Sequence, residues 1–193
     1  MFLANSKGMM KLNTNVQPTI EFYLNQNVLK DFYPYSCKYK LKNNLLTKHF
    51  EHKTLFEWET YIYQKVQSIA PKIETVSEDH FVYDISGLNS IRQVLKMEDL
   101  DFEPFCENLF EFIENFATFS FIHGNLTKDN IFMNETTSKF YVIDFTHSAL
   151  KEQVLNKYTD FYYAYNSLSS QINRCDQKIL DSIFNSYVPV SGY

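Results

Sequence analysis

Residues 121–145 contain side chains that could bind a divalent cation and position a hydroxyl group. Asn125 follows a His-Gly pair, Asn130 comes five residues later, and Asp144 lies in an Ile-Asp-Phe triplet. Amide and carboxylate oxygens are hard donors, which suit Mg²⁺. Phosphoryl transfer needs such an ion to neutralise phosphate oxygens and a polar group to orient the attacking hydroxyl. These side chains therefore supply donor types that a metal-dependent phosphoryl-transfer site would need.

This segment reads FIHGNLTKDNIF, and the Asp of a second stretch, YVIDF, lies about a dozen residues after its end. It resembles the catalytic loop and metal-binding strand of protein-kinase-like phosphotransferases. The His-Gly and Ile-Asp-Phe forms are most similar to aminoglycoside and choline phosphotransferases and to the small atypical kinase of the KEOPS tRNA-modification complex. The resemblance implies ATP and Mg²⁺ as cofactors, Asn130 and Asp144 as metal ligands, and a structural role for His123. It spans roughly residues 35–170 and is most specific over 121–145.

Two departures from the family pattern concern catalysis. Asn125 stands where the family has its catalytic aspartate, and a neutral amide cannot accept the proton of a hydroxyl. A general base contributes about 100- to 10,000-fold to rate. Asp129 falls at a different point of the loop and is interpreted as a solvated side chain. Gly8 is the only glycine before Gly87, so the glycine-rich phosphate loop is also missing.

The resemblance further implies an ion pair between a strand lysine and a helix glutamate. Glu59 is the predicted glutamate, and Lys42 is its preferred partner, with Lys40 as the alternative. Surface charges without a shared role explain Lys42 and Glu59 equally well.

The segment that begins at His80 resembles the hinge that binds adenine, which places backbone contacts near Tyr83 and Asp84. Asp160 resembles the buried aspartate of a later helix that braces the catalytic loop. A carboxylate favoured at a helix N-terminus is the simpler explanation of Asp160.

The order of periodic segments predicts an α+β fold with segregated lobes, and the resemblance implies that it is a minimal bilobal protein-kinase-like fold. A small β-rich N-lobe is expected over residues 1–85 and a short, truncated helical C-lobe over 86–193, together forming one compact unit. Thr54 and Glu57 suggest a capping box at the start of the first helix. Strands are predicted over 19–24, 35–41, 72–75, 80–85 and 140–143, and helices over 54–70, 89–96, 103–119, 158–171 and 173–187.

Composition limits the classes of partner and compartment. The formal net charge of −5 argues against general electrostatic binding of nucleic acid. The three cysteines are far apart, which favours a reducing, intracellular (cytoplasmic) compartment. No stretch approaches the roughly 18 apolar residues of a membrane span.

Three functional hypotheses follow. The first is a pseudokinase that acts as a nucleotide-binding or scaffolding module with a protein partner, one version being a virion-associated protein of a large DNA virus. The second is a weakly active ATP-dependent phosphotransferase acting on a protein or small molecule. The third is an unrelated α+β interaction domain in which the motif is accidental.

Overall fold

The computed structural model describes residues 3–4, 10–11, 37–77, 79–151 and 158–189. The chain divides into two compact units, Met1–Ser86 and Gly87–Tyr193. The predicted boundary between residues 85 and 86 lies one residue before this division. The predicted strand over 19–24, the start of the strand over 35–41, and Gly8 lie outside the described residues.

The described part of the first unit is built on antiparallel strands and one helix. Strands β3, β4, β6 and β5 form a four-stranded sheet in that order, and β1 pairs with β2. The described elements are β1 (Leu3–Ala4), β2 (Met10–Lys11), β3 (Cys37–Lys42), β4 (Leu45–Phe50), α1 (Lys53–Val66), β5 (Ile73–Val76) and β6 (His80–Asp84).

Local sequence explains the hairpin between β3 and β4. Asn43 and Asn44 both have positive φ angles, 50° and 61°, which asparagine tolerates better than most residues and which two-residue hairpins require. These two asparagines therefore form the turn of the hairpin. Strand β4 then alternates, so that Lys48 and Phe50 face the buried side of the sheet.

The first helix begins differently from the prediction. The predicted capping box of Thr54 and Glu57 is wrong, because His52 is the N-cap and Thr54 lies inside the first turn. Glu57 instead lies 3.6 Å from the Lys53 ammonium one turn earlier. The apolar face of α1 is buried as its spacing predicts, with Leu55, Ile62 and Val66 at 0–1% exposure.

The second unit is mostly helical, with short strands around one loop. Strands β10, β9 and β7 form one antiparallel sheet, and β11 pairs with β8. The elements are β7 (Leu88–Ser90), α2 (Ile91–Val94), α3 (Phe102–Phe116), β8 (Phe121–Ile122), β9 (Ile131–Asn134), β10 (Lys139–Val142), a 3₁₀ turn (Phe145–His147), β11 (Ala149–Leu150), α4 (Thr159–Ser169) and α5 (Arg174–Tyr187).

Helix α3 carries the apolar core of this unit. Phe105, Leu109, Ile113 and Phe116 share one face of the helix, and all four are buried. Helix α5 begins at Asn173, whose side chain accepts the backbone N–H groups of Cys175 and Asp176, a favourable N-cap. The α+β fold class is confirmed, with a β-rich first unit and a mainly helical second unit.

The predicted strand near residue 140 exists, but its partner was not predicted. Strand β10 pairs with β9 in a hairpin in which Val142 lies opposite Ile131. Of the predicted helix over 89–96, the structure keeps only the four residues of α2, after strand β7. In the described residues, no helix is long and apolar enough to cross a membrane.

Candidate functional site: a kinase-like loop and a buried ion pair

The loop over residues 123–130 is fixed at both ends by strands. It leaves β8, which pairs with β11, and enters β9, which pairs with β10 and β7. The ladder between β9 and β10 continues into the loop, because the Ile143 N–H donates to the Asn130 carbonyl at 3.0 Å. The loop is therefore held between two short antiparallel ladders.

His123 is the first residue of the loop, and its side chain is fully buried. Its Nε2 lies 2.9 Å from the Ile143 carbonyl, and its Nδ1 lies 3.2 Å from the Asn125 backbone nitrogen. A carbonyl can only accept and an amide N–H can only donate, so the ring is the neutral tautomer with the proton on Nε2. His123 thus ties the loop to the strand that precedes Asp144, and its predicted structural role is confirmed.

Asp160, on the first turn of α4, braces the same loop. Its two carboxylate oxygens accept the backbone N–H groups of His123 at 2.8 Å and Gly124 at 2.9 Å. The side chain is only 6% exposed, and hydrogen bonds to a buried charged group are among the stronger ones. The prediction that Asp160 is a buried brace of the loop is confirmed, and its position at the helix N-terminus adds a favourable dipole contact.

Gly124 allows a close backbone approach inside the loop. Its φ angle is +76°, and a Cβ added here would lie 2.4 Å from the His147 carbonyl oxygen. Glycine is thus required both by conformation and by space.

Asn125 and Asn130 lie at the two ends of a tight turn. The Asn125 carbonyl accepts the Thr127 N–H and the Asn130 side-chain NH₂, both at 2.9 Å. Asn130 therefore uses its amide nitrogen to hold the loop, which directs its amide oxygen to other contacts. Both side chains are half-buried.

Asn130 and Asp144 are brought close to each other by the β9–β10 ladder. The Asn130 carbonyl accepts the Ile143 N–H, and Asp144 directly follows Ile143 in the chain. Asp144 has a left-handed backbone (φ 68°, ψ 61°), and its Oδ1 accepts the Thr146 hydroxyl at 2.8 Å. A left-handed conformation in a residue other than glycine is uncommon and typical of functional sites. One amide oxygen and one carboxylate fit the donor preference of Mg²⁺.

Asp129 is not the solvated side chain that the sequence suggested. It forms a two-pronged ion pair with Arg92, in which the Nη2–Oδ2 distance is 2.6 Å and Nε contacts Oδ1. The hydrogen bond from Arg92 lowers the pKa of Asp129 from its ordinary value. Planar guanidinium matches a carboxylate in this geometry, so the interpretation of Asp129 as merely solvated is wrong.

The first unit contains a fully buried ion pair that includes Glu59. The Lys48 ammonium contacts Glu59 Oε2, and the Tyr83 hydroxyl donates to Glu59 Oε1 at 2.9 Å. All three side chains have 0% exposure. Burial, followed by the nearby Glu59 charge, raises the pKa of Tyr83 well above its ordinary value. Glu59 therefore connects helix α1 to two neighbouring strands, β4 and β6.

The prediction that Lys42 or Lys40 pairs with Glu59 is wrong. Both lysines are exposed and lie in β3, where Lys42 is opposite Leu45 next to the hairpin turn. Lys48 lies one strand closer to the centre of the sheet. The signal for it was present: in the stretch LLTKHF, Lys48 alternates with Leu46 and Phe50 and so belongs to their face.

Tyr83 and Asp84 lie at the end of β6, and their predicted contact with adenine stays a prediction. The Asp84 N–H donates to the Lys72 carbonyl at 2.8 Å, and the Ile85 N–H donates to Asn44 at 2.9 Å. Hydrogen bonds from Ser86 lower the pKa of Asp84. Within this unit, these backbone donors already have partners, and the Tyr83 side chain is directed to Glu59.

Comparison with solved structures identifies the fold class. With a TM-score of 0.55 and 8% identity, the chain is similar to a divergent kinase lacking the glycine-rich loop that regulates membrane ultrastructure of the Toxoplasma parasitophorous vacuole. The match covers 93% of this chain and 79% of the other. It is also similar to WaaP, solved in complex with acyl carrier protein, with a TM-score of 0.50 and 9% identity, covering 88% and 87%.

The fold of this chain is therefore protein-kinase-like. No protein-family model matches the sequence, and no curated protein matches it significantly. The hypothesis of an unrelated α+β domain with an accidental motif is wrong, because the loop motif occurs within the fold to which it belongs.

Proposed function

We propose that this chain is a pseudokinase: a kinase-like module that binds Mg²⁺ and a nucleotide but does not transfer the phosphoryl group efficiently. The observation that carries the proposal is Asn125 at the loop position of the catalytic base. Asn125 cannot accept a proton, and Asp129, four residues further along the loop, is committed to Arg92 in a two-pronged ion pair. The loop is thus well formed but lacks a carboxylate available to orient and deprotonate a hydroxyl.

The metal-binding part of the proposal rests on Asn130 and Asp144. The hairpin ladder places them next to each other, and both supply oxygen donors. A bound Mg²⁺ would neutralise charge on the phosphate oxygens of the nucleotide. In the family that the sequence resembles, the buried lysine–glutamate pair also serves nucleotide binding, and here Lys48 and Glu59 form that pair.

A thermal-shift titration tests nucleotide binding. ATP with Mg²⁺ is expected to raise the melting temperature, because a ligand that binds only the native state stabilises it, by about 2.7 kcal/mol at a hundredfold excess over Kd. The increase is expected to require the metal and to disappear in Asp144→Ala, whereas Asp99→Ala, at an exposed carboxylate in a loop, should retain it. A metal-dependent shift that persists in Asp144→Ala would contradict the assignment of Asp144.

If millimolar ATP does not change the melting temperature, the chain would instead act as a scaffold. In that version of the hypothesis the ligand is a protein partner. The hairpin of β3 and β4 exposes three large apolar side chains, namely Tyr39 (45%), Leu41 (63%) and Leu45 (38%), and exposed apolar patches are typical of protein contacts.

The second candidate is a slow phosphotransferase. It is favoured by the retained pair of Lys48 and Glu59, because positioning and electrostatics supply most of the catalysis of phosphoryl transfer. The substitution Asn125→Asp distinguishes the two candidates.

If the wild-type chain is a slow enzyme whose base is missing, Asn125→Asp is expected to raise the rate of ATP hydrolysis or transfer by about 100-fold or more. The hydrogen bonds that hold the loop at this position are made by the backbone of residue 125, so the variant should keep the wild-type melting temperature. Phosphate release from ATP, measured beside Asn125→Ala, gives the comparison. An equal, undetectable rate in all three proteins would rule out the slow enzyme.

A further inference from the structure

Two histidines on the first unit's sheet form a cross-strand pair that the kinase-like machinery does not use. His49 in β4 lies opposite His80 in β6, and their ring centroids are 5.0 Å apart. Each is followed in sequence by a buried phenylalanine, Phe50 and Phe81. Because side chains alternate along a strand, the histidines lie on the opposite, solvent-facing side of the sheet.

Asp79 adds a carboxylate to this pair. Its Oδ1 lies 2.8 Å from His80 Nδ1, and the Ser77 hydroxyl lies 2.9 Å from Asp79 Oδ1. The backbone fixes Asp79 in this position, since its carbonyl accepts the Phe50 N–H at 2.8 Å. Asp79 is 68% exposed and His80 27% exposed, so an ion could reach them from solvent.

The distances among these groups suit a metal ion. One ligand atom from each of His49, Asp79 and His80 lies within 4.8 Å of the others. Zinc bonds of 2.0–2.2 Å at tetrahedral angles place ligand atoms about 3.4 Å apart. Small side-chain rotations, on strands whose backbones are hydrogen-bonded to each other, would close the remaining difference. Among the described residues, no other group of three or more potential metal-binding side chains comes this close together.

The surrounding charges do not oppose a cation. Lys38 lies opposite His49 on the neighbouring strand, but its ammonium is paired with Glu51 at 2.7 Å. The pair of Lys38 and Glu51 therefore adds no net charge beside the cluster, to which Asp79 contributes a carboxylate.

We propose that His49, Asp79 and His80 bind a divalent transition-metal ion of the zinc class on the outer face of this sheet. Two imidazoles and one carboxylate are the ligand types that zinc prefers over Mg²⁺ or Ca²⁺. With three protein ligands, water would occupy the fourth position. The ion would link the end of β4 to the beginning of β6.

The test is a calorimetric titration of the full chain with zinc chloride. Exposed Cys175 could bind zinc by itself, so the titration uses Cys175→Ser as the parent protein. We expect one zinc ion per chain, and we expect His49→Gln and His80→Gln each to weaken binding by about tenfold or more. His52→Gln, which removes an exposed histidine outside the cluster, is the matched control and should bind as the parent does. Cobalt(II) added to the same proteins should give the intense visible absorption of a tetrahedral site, which the two cluster variants should lose.

The absence of zinc binding in the parent would overturn the proposal, as would equal affinity in His49→Gln and the parent. His49 lies on the solvent-facing side of the sheet, so His49→Gln should fold even if His80→Gln does not. Circular dichroism of each metal-free variant checks this. Reduced binding in His52→Gln equal to that of His49→Gln would indicate nonspecific histidine binding and would also overturn the proposal.

Discussion

Replacing Lys48 alone with methionine is expected to lower the free energy of unfolding by about 3–5 kcal/mol, because it leaves the Glu59 carboxylate buried without its counter-charge. Both side chains have 0% exposure, so water cannot take the place of the ammonium. Glu59 would keep the hydrogen bond from the Tyr83 hydroxyl, which supplies no positive charge. Urea denaturation followed by tryptophan fluorescence of Trp58, which is buried in the same unit, measures the loss.

The matched control is Lys42→Met. Lys42 is the lysine that the sequence favoured as the partner of Glu59, and it is exposed in β3. Its replacement should change the free energy of unfolding by no more than about 0.5 kcal/mol. Equal losses at the two lysines would mean that Lys48 is not the partner of Glu59 in solution.

Removing the whole buried network should restore much of the stability. The variant Lys48→Met/Glu59→Met/Tyr83→Phe removes all three polar groups of this network. Replacing a buried ion pair with apolar side chains of similar volume is often neutral or stabilising. If the triple variant is as unstable as Lys48→Met, the loss of stability arises from altered packing and not from the Glu59 carboxylate. If the triple variant recovers its stability but no longer binds nucleotide, the ion pair serves nucleotide binding and not stability.

Gly124→Ala is expected to lower the free energy of unfolding by about 2–5 kcal/mol. A left-handed backbone costs a non-glycine residue about 1–2 kcal/mol, and overpacking adds about 1–3 kcal/mol or more. The added Cβ would lie 2.4 Å from the His147 carbonyl oxygen. That atom belongs to the backbone, so it cannot rotate away as a side chain could. Thermal and urea denaturation measure the effect.

Gly87→Ala separates the two contributions. Gly87 also has a positive φ angle, +71°, but its added Cβ would meet only the Asn134 side chain, at 3.8 Å. This variant should therefore show the conformational cost of about 1–2 kcal/mol without the clash. If both variants lose the same stability, the loop near His147 can move aside, and the close approach is not a constraint.

The sequence predicted the loop more accurately than the ion pair, and the reason is physical. His123, Asn125, Asn130 and Asp144 are close in the chain, and the local hairpin of β9 and β10 brings them together. Their spacing along the sequence therefore carries information about their geometry. Asp160 is distant in sequence, but a buried aspartate at a helix start is a recognisable feature.

The partner of Glu59 depends on long-range pairing. Which lysine reaches the helix is decided by the order of strands in the sheet, with β4 and not β3 next to β6. Single-sequence patterns identify strands but not their order. The alternation of LLTKHF identifies the buried face of β4, yet Lys40 and Lys42 in β3 offered competing candidates. Asp129 was misjudged for a similar reason, because its partner Arg92 lies 37 residues away.

The bracing of the loop by Asp160 has an evolutionary consequence. The peptide groups of His123 and Gly124 are held from outside the loop, by helix α4, and residue 125 contributes its backbone to the turn. The side chain at position 125 is therefore not needed to shape the loop. A lineage could exchange a catalytic aspartate for asparagine here at little cost in folding. Chemistry could then be lost in a single mutational step while selection continued to preserve the shape for another purpose.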